Sequence, residues 1–153
     1  MIRLSKEEKK IVLKRSRFLE KRDFVYLNEE EFGFTYANKP IYASPTYNCE
    51  EGIEFFIFWG RHADEQDIYI AFFKDNHREM HYLSWLVFFH DNRRIQDLKG
   101  KEKLLYLLDF IEKNFAFVTN SENYSDINAR YNEYQRSLPP TKFNPDTGKY
   151  ELI

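Results

Sequence analysis

The sequence predicts a single α+β domain: a mainly antiparallel, aromatic-rich sheet of about five or six strands, with an N-terminal helix and two C-terminal helices packed on it. Three observations carry this. The chain opens with a charged, helix-periodic stretch, its middle is a series of short β-rich runs broken by turn residues, and it closes with two more helix-periodic stretches. Parallel crossovers would need helices between the central strands, so this order points to α+β and not to alternating α/β.

Ser5 followed by Glu8 forms a capping box, in which each side chain satisfies a backbone donor of the other at a helix start. A helix over 6–22 is expected to follow. At 100° per residue Leu4, Ile11, Val12, Phe18 and Leu19 gather on one side, and Lys6, Lys10, Lys14, Arg17 and Lys21 form a stripe on the opposite side. From Phe24 onward, β-branched and aromatic runs predict strands over 24–27, 32–36 and 41–43, interrupted by Gly33, Pro40 and Pro45. Stronger runs predict strands over 53–59, 68–73 and 82–89, joined by the polar links 60–67 and 74–79. Ile53, Phe55, Ile57 and Trp59 alternate with Glu54, Phe56 and Phe58, so both faces of that strand are largely apolar and it belongs in the centre of the sheet. In the run 83–89, the same alternation sets Trp85, Val87 and Phe89 against Leu86 and Phe88.

A helix over 101–115 follows from the narrow stripe of Leu104, Leu107, Leu108, Ile111 and Phe115. A third, over 126–138, has Ser125 as its expected N-cap, Ile127, Tyr131, Tyr134 and Leu138 on one face, and Pro139-Pro140 as its stop. The domain is expected to span 1–138. Residues 139–153 then form a tail with a turn signal at Asn144-Pro145-Asp146-Thr147-Gly148 and a short edge strand or loose end at 150–153.

The chain is long enough to bury a core without a staple, and 15 Phe, 11 Tyr and 2 Trp make ring packing its main material. Cys49 is the sole cysteine, which excludes an intrachain disulfide and a thiolate zinc cluster and suits a reducing cytoplasmic compartment. No apolar run reaches membrane-spanning length, so no membrane partner is expected. A net charge of −2 conceals segregation: 1–22 hold nine Lys/Arg against three acids, 23–67 hold two against ten, and 68–153 balance. Such a field steers association with charged partners.

Chemical motifs are sparse. His77 and His81 are four apart, but the intervening glutamate stands two residues after the first histidine, and a strand would lay the pair out along its length, so no metal site is expected. Cys49, His62, His90 and Asp64 have no spacing that requires them to meet. With five glycines and no phosphate-cradling loop, nucleotide chemistry and cofactors are not expected, and the sequence predicts no catalytic residues.

Acidic clusters at Glu29-Glu30-Glu31, at Glu50-Glu51 and at Asp64, Glu65 and Asp67 fall in expected turns. Brought to one end of the sheet, they would form a negative surface beside apolar rings, with Glu50, Glu51, Asp64, Glu65 and Asp67 as contacts for a basic protein. Lys6, Lys10, Lys14, Arg17 and Lys21 offer an alternative, phosphate contact with nucleic acid. An enzyme or small-ligand binder is the remaining alternative, with sheet rings lining a pocket and His62, His81 or His90 as polar groups.

In plan, the chain resembles the small α+β immunity proteins with which bacteria neutralise polymorphic toxins. The opening charged helix, the aromatic runs 53–59, 68–73 and 82–89, the helix over 101–115 and the acidic turns carry the resemblance. It implies a non-catalytic inhibitor that binds a cognate protein; no motif aligns, so no residue role is transferred.

Overall fold

Strand-period alternation between Glu51 and Phe58 sets the centre of the architecture, and the flanking strands fold onto it in sequence order. The computed structural model describes residues 4–42, 51–60, 65–75, 77–90 and 94–152. Strands β1 (Phe24–Glu30), β2 (Gly33–Asn38), β3 (Glu51–Phe58), β4 (Asp67–Lys74) and β5 (His77–Tyr82) form one antiparallel sheet in the order β1-β2-β3-β4-β5, with β3 in the middle as its two apolar faces require. Gly33 lets β2 close on β3, because a Cβ there would collide with the Ile57 carbonyl oxygen.

Helix α1 (Lys6–Ser16) starts at the expected capping box: the Glu8 amide donates to Ser5 Oγ at 3.1 Å, and the Ser5 amide donates to Glu8 Oε1 at 3.0 Å. The helical stretch expected to run evenly to Arg22 tightens to a 3₁₀ helix over Arg17–Arg22. The buried Ser16 hydroxyl marks the change, donating back to the Leu13 carbonyl at 2.7 Å. Helices α4 (Gly100–Lys113) and α6 (Ile127–Ser137) match the two expected C-terminal helices. A short helix α5 (Phe115–Val118) and a 3₁₀ turn over Ser121–Tyr124 join them. Ser125 does not cap α6; Asp126 is the cap residue, without a side-chain bond.

Two expected strands are helical instead. Residues Lys39–Tyr42 form the short helix α2, with Pro40 in its first turn, where the missing amide costs nothing. Ile41 of α2 is buried over Gly52, at which a Cβ would stand 2.5 Å from Ile41 Cγ1. The second correction is larger. The run read as a strand over 82–89 contributes only Tyr82 to β5 and then coils as α3 (Leu83–His90). The continuous apolar stretch 85–89 within it carries no period that separates strand from helix. Leu83, Leu86, Val87 and Phe88 are all buried, since α3 packs against β4, α4 and α6. The polar residues His77–Glu79, expected in a link, belong to β5, where an outer strand tolerates exposed charge. The fold class survives both changes because β5 takes the place of the misassigned strand.

One face of the sheet, with Phe24, Phe34, Tyr36, Phe55, Ile57, Trp59, Ile68, Ile70 and Phe72, joins Val12, Leu19 and the inner stripe of α4 in the main core. On the other face Ala37, Ile41, Ala71 and Phe73 form a smaller cluster under α2. The tail makes a separate two-stranded hairpin, β6 (Thr141–Asn144) with β7 (Lys149–Leu152), and does not extend the main sheet.

Trp59 ties the sheet end together. Its ring is fully buried and packs 5.4 Å from Phe34, its indole N–H donates to the Glu31 carbonyl at 3.0 Å, and its amide donates to the Phe32 carbonyl at 2.8 Å. Gln66 extends the link: Nε2 donates to the Trp59 carbonyl at 2.6 Å, while Oε1 accepts the Gly100 amide at 3.1 Å at the start of α4. Replacing Trp59 with Phe preserves most of the apolar burial but removes the indole donor. The expected result is a loss of about 1–2 kcal/mol in the urea unfolding free energy; an unchanged midpoint and slope would show that this bond contributes nothing.

Candidate functional site

The face of the sheet opposite the main core carries a row of rings. Register pairs Phe56 with Tyr69 and Tyr69 with Tyr82 across three strands, so these side chains stand on the same face. Tyr69 stacks on Phe58 at 5.5 Å and on Phe56 at 6.0 Å, and meets Tyr82 edge-on at 4.9 Å. The row continues through Trp85 of α3, 5.0 Å from Tyr82, to Tyr131 of α6, stacked on Trp85 at 4.3 Å. Phe56, Phe58, Tyr69 and Trp85 are half-buried, and Tyr82 and Met80 are exposed.

Acidic side chains border one end of this row. The β1–β2 turn presents Glu29, Glu30 and Glu31, all exposed, and Trp59 fixes its backbone. Glu65 belongs to the same end, close enough to Gly60 that a Cβ there would sit 2.7 Å from Glu65 Oε2. Burial first, and then the negative charge of Asp67, Tyr82 and Glu65, pushes the Tyr69 phenol up to about 12. Deeper on the same face Glu54 is buried, and its pKa is raised chiefly by desolvation although Arg78 Nη2 lies 3.3 Å away.

The acidic contacts expected from the sequence do not form one patch. In an antiparallel meander successive turns fall at opposite ends. Glu51 pairs with Lys74 at the far end of β3, about 23 Å along the strand from Phe58. Glu65 therefore joins Glu29–Glu31, and Glu51 does not. Glu50 and Asp64 lie outside the described residues, as do Cys49 and His62.

Asp67 is turned inward. Its Oδ2 accepts the Ser84 hydroxyl at 2.5 Å, and its Oδ1 accepts the amides of Ile68 at 2.8 Å and Ser84 at 3.3 Å. The carboxylate thus holds the first turn of α3 to β4 and is not a surface charge. Beside it a cavity of about 320 Å³ is lined by Ser84, Trp85, Lys103, Tyr131 and Gln135 among others. No histidine lines it among the described residues, and the Ser84 hydroxyl is engaged as a donor to Asp67.

The remaining histidines are dispersed. His77 and His81 lie about 13 Å apart along β5. His81 is buried and stacks on Tyr124 at 4.9 Å; Nε2 is 3.4 Å from Glu79 Oε1, yet neither ring nitrogen makes a directed hydrogen bond. His90 is exposed and lies 5.0 Å from the Phe110 ring. Among the described residues no three His, Cys, Asp or Glu side chains converge as metal ligands, and no helix is long and apolar enough to cross a membrane. Lys6, Lys10, Lys14, Arg17 and Lys21 are all exposed, with Glu7 3.8 Å from Lys10 and Glu20 3.9 Å from Arg17.

Rings beside the acidic turns were expected, but Phe56, Phe58, Tyr69 and Tyr82 were not singled out, because Phe56 and Phe58 read as the second apolar face of a central strand. Tyrosine at 69 and 82, with its polar tip, was the available signal for a half-wet face.

Burial drives the Asp67 carboxyl pKa above its ordinary value, opposed by Lys103, Ser84 and the two amides. A native pKa above the unfolded one gives stability that is complete below about pH 4 and declines as pH rises through the native value. Asp67→Asn cannot ionise. The unfolding free energy of the unmodified chain relative to Asp67→Asn is therefore expected to fall between about pH 4 and neutrality in urea titrations; a pH-independent difference would contradict this.

Comparison of the chain with protein-family models, with curated proteins and with solved structures finds no match, so its function has to be argued from this geometry.

Proposed function

We propose that this chain is a non-catalytic protein-binding module that takes a basic protein partner on its acidic sheet end and the adjoining row of rings, and inhibits that partner as toxin-immunity proteins do. The observation that carries the reading is that half-exposed Phe56, Phe58, Tyr69 and Tyr82 share a face with Glu30, which pairs with Gly33 beside Phe58, at the sheet end that also holds Glu29, Glu31 and Glu65. Large rings with few rotatable bonds supply contact area at low entropic cost, and such residues concentrate binding energy at protein interfaces. Carboxylates at the border add attraction at a distance and reject acidic competitors. The lone cysteine agrees with a cytoplasmic setting.

A second reading, a small-ligand pocket, draws on the cavity beside Asp67 and Lys103. Three donors already engage Asp67, and Trp85 and Tyr131 stack on each other, which leaves fewer polar groups for a ligand than the first reading leaves rings for a partner.

The test is capture of partners from the native host on the full chain, identification by mass spectrometry, and calorimetry with each purified candidate. A one-to-one complex with a basic protein is expected, weakened at least tenfold between about 0.05 and 0.5 M salt. Reversing Glu29, Glu30, Glu31 and Glu65 to Lys is expected to weaken it by about a hundredfold, and Tyr69→Ala by about tenfold. Retention of full affinity by the folded quadruple variant would remove the acidic end from the interface.

A further inference from the structure

The apolar arc of α1 is wider than the core beneath it. Val12, Ser16 and Leu19 face the sheet and are buried, whereas Ile11 remains 45% exposed and Phe18 half-buried. On α4 the residues Leu104, Leu107, Leu108 and Ile111 fill the core and leave Leu105 half-buried. Ile11, Phe18 and Leu105 together line an open groove of about 830 Å³ between these two helical elements.

Cations form one wall of that apolar floor. Lys14, Arg15, Arg17 and Lys21 line the groove, with Glu20 as the one carboxylate among the described lining residues. Arg15 is committed, donating to Asp109 Oδ1 at 3.3 Å and to Glu112 Oε1 at 2.8 Å while its guanidinium lies 5.4 Å from the Phe18 ring centre. Arg17 has a loose, exposed contact with Glu20 at 3.9 Å. Among the described residues neither Lys14 nor Lys21 has an ion pair. The basic stripe therefore does not lie simply opposite the apolar face, since three of its members, Lys14, Arg17 and Lys21, flank the part of that face the core leaves open.

Spacing narrows the occupant. Ile11 and Phe18 are seven residues apart, and so are Lys14 and Lys21, which spaces the apolar pair by a rise of about 11 Å and the cationic pair, mostly in the 3₁₀ segment, by about 13 Å. A helix with apolar residues at heptad spacing and carboxylates beside them repeats at the same interval. A nucleic-acid backbone would leave the apolar floor unused, and a bilayer surface would not enter a trough between two helices.

We propose that this groove receives an acidic amphipathic helix of a partner protein, with its apolar side chains on Ile11, Phe18 and Leu105 and its carboxylates on Lys14, Arg17 and Lys21. The groove shares no residue with the acidic sheet end, so the two surfaces can be tested and can fail separately.

The probe is a labelled helical peptide of about three heptads, Leu at the a and d positions and Glu elsewhere, titrated into the full chain at low salt and followed by fluorescence anisotropy. Saturable binding is expected. A peptide with Ser for Leu, one with Lys for Glu, the Ile11→Ser chain and the Lys14→Glu/Lys21→Glu chain should each bind at least about tenfold more weakly. All three substituted side chains are exposed, and an unchanged urea midpoint in each variant separates lost binding from lost fold. No binding at about millimolar peptide, or a Ser peptide that binds as well as the Leu peptide, would overturn the proposal. So would anionic vesicles or a single-stranded oligonucleotide that binds the groove in preference to the peptide. Self-association abolished by Ile11→Ser would also overturn it, by giving the groove to a second copy of the chain.

Discussion

The hydrogen-bonded link from Glu31 through Trp59 and Gln66 to Gly100 is the constraint on which the arrangement depends. One indole locks the β1–β2 turn to the end of β3, and one amide side chain carries that attachment to the start of α4. The sheet end and the main covering helix are thereby set relative to each other. A buried amide bonded through both of its ends tolerates little displacement, because an unmatched polar group in the interior is expensive. The position of the acidic turn relative to the row of rings follows from this link.

The aromatic residues are divided between two duties by the pleat. Phe55, Ile57 and Trp59 point to the helices and hold the domain together, while Phe56 and Phe58 point the other way, beside Tyr69 and Tyr82. The core and the proposed partner-binding face thus use the same short stretch of chain, one residue out of phase. A one-residue slip of β3 would exchange the two sets, so the paired β2 and β4 protect the surface as much as the core.

Local signals were legible where they had a period or a cap. Ser5 and Glu8 announced α1, and the stripe from Leu104 to Ile111 announced α4, since each depends on residues within a few positions. The helix at Leu83–His90 was not legible, because its first turn is held by Asp67, on a strand, and because the apolar stretch 85–89 has no phase to read. Ile41 was taken for a strand residue on its β-branched side chain, although Pro40 was suited to a first helical turn. The division of the acidic clusters was in principle accessible: in a meander the first and third turns share an end, which sets Glu29–Glu31 with Glu65 and apart from Glu51. The exposed remainder on α1 was not accessible, since nothing in the periodicity says how much of an apolar arc a neighbouring helix will cover.

The outer strands of the main sheet differ from its centre in one respect that bears on how the molecule meets others. β1 shifts register between Tyr26 and Asn28 and ends in Asn28, Glu29 and Glu30, while β5 begins with His77, Arg78 and Glu79, all exposed. Bulges and alternating charges of this kind discourage a foreign strand from hydrogen-bonding to an open rim. Growth by strand addition, the usual hazard of a sheet so rich in rings, is thereby disfavoured at both margins, which leaves the broad faces, where side chains and not backbone groups are presented, as the surface open to contact.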